Sequence, residues 1–247
     1  MDVSVGTLVY GAATVFVAGV IKGLTGFGFS LLAVPVLVVL LGPRTAVPVI
    51  VLLNAVTNVA LFIGCRKAAY LRRIVPLIIA GIVTIPLGMS LLLALDATVI
   101  KVVVGCVTIL FALAFLIVLR WPVSNEKRGF AVAGVISGSL NGLISTGGPP
   151  VILFLTNQGA AKKAFRASLI TYFLFLNLAT VPIYFAGGLL SLPVARYAVL
   201  LLPALFLGAV TGSKLLHKVP ERAFRITSLV IVMIAGVLSV LSSLGVV

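Results

Sequence analysis

The chain has 247 residues, of which 62% are hydrophobic and 9% charged, and its mean hydropathy is +1.35. So much apolar surface excludes a soluble domain and points to an all-α polytopic membrane protein; continuous rather than alternating apolar runs exclude a β-barrel. A net charge of +14 would suit nucleic acid, but the basic residues fall in short clusters between apolar spans, as the positive-inside rule describes, and not along one surface.

At the N-terminus, Asp2 stands where a basic leader region would be and no small-residue cleavage site follows, so no cleavable signal peptide is expected. A first apolar helix runs into the glycine-rich break "KGLTGFG" (22–28), and a short apolar run, 29–41, follows. Thirteen residues reach only about 20 Å as a helix, short of a hydrocarbon core of roughly 30 Å. Spans long enough to cross are then predicted at 45–64, 74–95 and 97–119. A helix from about 130 meets the second break, "ISTGGPP" (144–150), and a run of eight residues, 151–158. Further spans at 167–186, 197–213 and 226–246 complete ten segments, four of them flanking the breaks. Cys65 and Cys106 have no metal-ligand spacing and read as packing residues.

Fifteen of the eighteen basic residues fall on one side if "CRKAAYLRR" (65–73), "RWPVSNEKR" (120–128), "AKKAFR" (161–166), "KLLHKVPERAFR" (214–225) and Lys22 are placed in the cytoplasm. Arg44, Lys101 and Arg196 are left on the other side, and both termini are predicted outside. "AGVIKGL" (18–24) aligns with "SGSLNGL" (137–143), pairing Gly19 with Gly138 and Gly23 with Gly142. Arg44 and Asn54 pair with Arg166 and Asn177 further on. The chain thus reads as one transporter domain, 1–247, duplicated as repeats of about 1–119 and 129–247. An odd number of segments per repeat reverses the second repeat, giving two inverted repeats, each with a broken or re-entrant helix pair. Secondary transporters built this way hold substrate between discontinuous helices near the midplane, where irregular backbone lines a cavity.

Helices are expected to restart at Phe29 and at Pro149–Pro150, with Ser145 and Thr146 as candidate caps. Their N-terminal amides and positive dipole ends would face the cavity, and glycine lets a ligand approach the backbone, which makes an anion site. The competing reading of the glycines is close helix packing, for which Gly134 and Gly138 also have the spacing. Lys22 is either a counter-charge for the anion or a side chain snorkelling to the cytoplasmic surface. Asn54, Asn58 and Asn177 either line the pathway or hydrogen-bond between helices, and Asn141, at the repeat position of Lys22, is open to the same two readings. His217 lies in a basic loop and reads as solvated. The four acids, Asp2, Asp96, Glu126 and Glu221, sit near span ends or in loops, so a carboxylate proton relay has no obvious seat. Sodium held by carbonyls, substrate exchange, or the membrane potential alone remain as driving forces.

The segments "KGLTGFGFSLLAVPVLVVLLGPRTAVPVIVLLNAVTNV" (22–59) and "NGLISTGGPPVILFL" (141–155), with the two-fold organisation around them, resemble the TauE/SafE family of bacterial membrane transporters over essentially the whole chain. The second break reads "STGGPP" where the family often carries a fuller glycine run. The resemblance implies a multi-pass carrier of the cytoplasmic (inner) membrane for sulfur-containing anions such as sulfite, sulfoacetate or aromatic sulfonates, which members of the family often export. It places Gly23, Gly26, Gly28, Gly147 and Gly148 with Pro149 at the site. Combined with the breaks and asparagines, the candidate substrate-binding residues are Lys22, Gly23, Thr25, Gly26, Phe27, Gly28, Asn54, Asn58, Asn141, Ser145, Thr146, Gly147, Gly148, Pro149 and Asn177. No metal or cofactor is expected, and the partners are a small anionic substrate and the lipid bilayer; a homodimer would give a small carrier a fixed frame.

An intramembrane enzyme is disfavoured: no H-E-x-x-H, G-x-S-x-G or paired aspartates occur, and one histidine completes no triad. An anion channel would share the positive helix ends, as would a carrier of another small organic anion such as a carboxylate. A non-transporting scaffold would leave the paired breaks without a use.

Overall fold

The structure is a computed structural model, and it describes residues 5–65, 71–116, 126–157 and 162–215. Among these, nine α-helices and no strand occur: α1 (Val5–Thr25), α2 (Phe29–Leu41), α3 (Pro43–Cys65), α4 (Leu71–Ala94), α5 (Ala97–Leu116), α6 (Glu126–Ile144), α7 (Gly148–Asn157), α8 (Lys162–Ala186) and α9 (Leu192–Leu215). Their order is that of the first nine expected segments. The tenth, 226–246, lies outside the described residues, as do most of the loops that carry the basic clusters.

Five helices, α1, α3, α4, α8 and α9, are long and apolar enough to cross a membrane. The short run after the first break is helical over Phe29–Leu41, the bounds expected from sequence. The helix after the second break, α7, starts at Gly148, one residue before the restart expected at Pro149–Pro150, and the two prolines lie in its first turn. In the same way, α8 and α9 each start five residues before the apolar run read from the sequence.

Two helix pairs carry the closest packing. On the α1–α9 seam, a Cβ added to Gly19 would lie 2.8 Å from the Leu205 carbonyl oxygen, and one on Gly212 would collide with the Val20 carbonyl. On the α4–α6 seam, a Cβ on Gly134 would lie 2.6 Å from the Leu77 carbonyl, and those on Gly138 and Gly142 would meet the carbonyls of Gly81 and Ile85. Both seams are therefore backbone against backbone, the arrangement small residues permit in membranes, where dispersion and not hydrophobicity holds helices together. Between the seams, α3 packs against α8, and α2 lies against α1 and α3. The main apolar core is built by Leu37, Ile50, Leu53, Ile100 and Leu205, all fully buried. Large apolar side chains such as Val83, Leu110, Val199 and Leu207 point outward, as a lipid-facing surface requires. Cys106 belongs to that outer surface: it is exposed, and the reading of it as a packing residue is corrected.

Polar contacts tie the helix ends. Arg73, in the first turn of α4, pairs with Glu126 at the start of α6, and Arg44 of α3 donates to the Leu93 carbonyl near the end of α4 at 2.7 Å.

Candidate functional site

Each break is a three-residue interruption built from local constraints. After α1, the Gly26 amide donates to the Lys22 carbonyl at 2.7 Å, and Gly26 and Gly28 have φ of 82° and 89°. Side-chain-bearing residues rarely adopt that region, so glycine lets the chain leave one helix and re-enter the next within three residues. Thr25 fastens the turn: its Oγ1 accepts from the Phe27 amide at 3.1 Å and lies 2.8 Å from the Ile21 carbonyl oxygen. Gly28 is the N-cap of α2 and supplies no side-chain cap, which leaves the amides of the first turn without an intrahelical partner.

The second break solves the same problem with a serine. Ser145 donates its amide to the Asn141 carbonyl at 2.9 Å and has φ 54°, the one non-glycine residue with positive φ among the described residues. It stands 119 positions after Gly26. The expectation that Ser145 and Thr146 cap α7 is corrected. Thr146 Oγ1 donates back to the Ile144 carbonyl at 3.1 Å, and Ser145 Oγ, although buried, has no hydrogen-bond partner among the described residues. Gly147 is held instead by Ser137, whose hydroxyl donates to its carbonyl at 2.5 Å and accepts from the Tyr172 hydroxyl at 2.7 Å.

Lys22 is 2% exposed, which removes the snorkelling reading. Its Nζ donates to Asn54 Oδ1 at 2.7 Å and Thr57 Oγ1 at 2.5 Å and lies 5.5 Å from the centre of the Phe29 ring. Asn54 passes the chain on, donating from Nδ2 to Ser30 Oγ at 2.8 Å. An ammonium has three donors, so one remains after Asn54 and Thr57. In the other half Asn141 donates to Thr180 Oγ1 at 3.0 Å. The sequence repeats N-x-x-T as "NAVT" (54–57) and "NLAT" (177–180); sequence reasoning caught the asparagines and missed the threonines three residues on.

A cavity lies between the two breaks, with about 30 Å³ open to the centre of a water molecule. One water needs roughly 10–15 Å³ by that measure, so the space suits two or three waters or one compact solute. Its wall includes twelve of the fifteen expected residues: Lys22, Gly26, Phe27, Gly28, Asn54, Asn58, Asn141, Ser145, Thr146, Gly147, Gly148 and Asn177. Three expected residues do not line it. Gly23 is a packing glycine against the Ala209 carbonyl, and its own carbonyl accepts from Arg166 at 3.1 Å. Thr25 staples the turn, and Pro149 is buried in the first turn of α7 without lining the space. The wall also holds Phe29, Ser30, Leu31, Ile152 and Phe173. The first three follow from the restart of α2, whereas nothing in the sequence marks Ile152 or Phe173.

Lys22 is the one charged side chain on this wall among the described residues. Of the acids in described positions, Asp96 is exposed between α4 and α5 and Glu126 pairs with Arg73. The family described as "Sulfite exporter TauE/SafE" has a model that matches residues 11–239. The chain belongs to this family. TauE/SafE proteins are membrane transporters, so this chain is a multi-pass membrane transporter and not an enzyme. Comparison with curated proteins and with solved structures gave no match.

Proposed function

We propose that this TauE/SafE protein is a secondary transporter that exports small sulfur-containing oxyanions, such as sulfite or organosulfonates, by alternating access at the cavity between the two breaks. The observation that carries this reading is the buried Lys22 side chain on the wall of a cavity that has no carboxylate among its described lining residues. A buried charge without a counter-ion is costly, and an anionic solute is the partner that would offset it. Two restarted helices, α2 and α7, add their positive ends to the same space.

Inverted repeats account for the packing. Matching α1, α3 and α4 with α6, α8 and α9 turns the α1–α9 seam into the α6–α4 seam and maps α3 against α8 onto itself, and these are the pairs that pack. With re-entrant hairpins α1–α2 and α6–α7 entering from opposite faces, the breaks would meet at mid-depth. The contacts of Arg73 with Glu126 and of Arg44 with the Leu93 carbonyl agree with cytoplasmic and outer ends assigned by the basic loops. In this reading both termini are outside, the location is the inner membrane, and a homodimer supplies the static frame.

Counterflow in proteoliposomes tests the proposal. Trans-loaded unlabelled sulfite should drive transient uptake of labelled sulfite above equilibrium. An anion channel gives saturating leak without overshoot, and a carboxylate carrier gives overshoot with acetate or oxalate and none with sulfite.

A further inference from the structure

We infer that the second break reads a hydrogen-bond donor on the substrate, so that the preferred ligand is a compact monoanion carrying an O–H or N–H group. The inference rests on the anion site proposed above and concerns which anion that site selects. Asn177 Nδ2 donates to the Phe173 carbonyl at 2.8 Å. A carbonyl accepts only, so this contact fixes the amide orientation and leaves Oδ1 as the free end. Asn177 is 2% exposed and lines the cavity, and its Oδ1 has no hydrogen-bond partner among the described residues. Ser145 Oγ, on the same wall and equally buried, also has none. Two buried polar atoms left without partners in one cavity call for a ligand, since buried polar groups are otherwise satisfied.

The two halves of the cavity differ in what they offer. On the α2 side, Phe29, Ser30 and Leu31 each carry an amide N–H, and Lys22 retains a third ammonium proton beyond those given to Asn54 and Thr57. That wall donates. On the α7 side, Pro149 and Pro150 have no N–H, which removes two of the amides a helix start would supply, and Asn177 Oδ1 presents an acceptor. A fully deprotonated oxyanion presents only acceptors and would face Asn177 lone pair to lone pair. A cation could satisfy Oδ1, but it would share the space with Lys22 and two positive helix ends. One fixed positive charge and one acceptor match a monoanion with a donor opposite its charged oxygens, for example the hydrogen-bearing form of sulfite.

Methanesulfonate and sulfamate test this cleanly: they are isosteric monoanions, and only sulfamate has N–H donors. Binding to the purified full-length protein is titrated calorimetrically at one pH, for the wild type, Asn177→Leu and Ser145→Gly. The wild type should bind sulfamate roughly five- to tenfold more tightly, the size of one net hydrogen bond. Asn177→Leu should lose that preference, the two affinities coming within about twofold of each other; Ser145→Gly, whose backbone suits glycine, reports on the same wall if the leucine variant does not fold. Equal affinities in the wild type, or a preference that survives in the folded variants, would overturn the inference while leaving the anion site standing. Sodium chloride stabilising the wild type but not Asn177→Leu would also overturn it, assigning the acceptor to a cation. Binding of neither sulfonate, nor of sulfite, would remove the anion site itself.

Discussion

Replacing Lys22 by methionine separates a binding lysine from a structural one. The two side chains have similar length, so the change deletes the ammonium with little change in volume, and the thioether fills the space beside Phe29. Two unit charges about 4 Å apart attract by about 4 kcal/mol at an effective dielectric constant near 20. An oxyanion in contact with Nζ would therefore lose of the order of a hundred- to a thousandfold in affinity. Stability should move the other way or not at all. The variant removes a buried charge that has only neutral partners, Asn54 Oδ1 and Thr57 Oγ1, and it leaves Asn54 Oδ1 without its donor, which costs about 1–3 kcal/mol. These terms oppose each other, so the melting temperature in detergent should stay within a few degrees of the wild type while sulfite binding is abolished over the accessible range. Sulfite affinity within about threefold of the wild type would refute the reasoning. A collapse of the fold together with binding would assign Lys22 to structure.

The other predictions address backbone geometry and packing. Gly26→Ala forces a side chain into φ 82°, with the new Cβ 2.9 Å from Arg166 Cγ; it should cost about 1–2 kcal/mol from the backbone alone, read as a lower melting temperature. Ser145→Gly relieves the corresponding strain at φ 54°, so its stability should equal or exceed that of the wild type by up to about 1 kcal/mol. Gly138→Ala pushes a methyl against the Gly81 carbonyl and should destabilise by about 1–3 kcal/mol, whereas Gly148→Ala, with its nearest atoms at 3.4 and 3.5 Å, should fold normally and lose affinity by crowding the cavity. Arg166→Met removes the donor to the Gly23 carbonyl near the C-terminal end of α1 and should lower stability by roughly 1 kcal/mol, measured by thermal unfolding.

How much of this was legible depends on the range over which each feature is determined. The helix order and the bounds of α2 follow from local patterning: a glycine break, thirteen apolar residues and the Gly42–Pro43 stop. The asparagines at 54 and 177 were visible because polar residues are conspicuous inside apolar spans. Lys22 was left between two readings because a lysine near a span end can snorkel. Its burial depends on how deep the first break sits, and α3 decides that through Asn54 and Thr57. Gly23 and Gly26 are three residues apart in one motif and do different things. Gly23 faces α9, nearly 190 residues away in sequence, and no local pattern reveals a partner so remote. Thr25 had the polarity of a site residue, but its hydroxyl is consumed by the turn it closes. Ile152 and Phe173 are ordinary apolar residues within apolar runs, and only the meeting of α7 with α8 brings them to the cavity. Cys106 shows the opposite limit: on an apolar helix the sequence does not distinguish the lipid-facing side from the packed one.

The most direct test of the central claim is an experimental structure with selenite, a heavier analogue of sulfite whose selenium can be located by anomalous scattering. The account predicts one strong selenium peak between the two breaks, with oxygens in hydrogen-bonding reach of Lys22 Nζ and the first-turn amides of α2. A protein that exchanges selenite in counterflow, yet binds it elsewhere and leaves this cavity to water, would contradict the account.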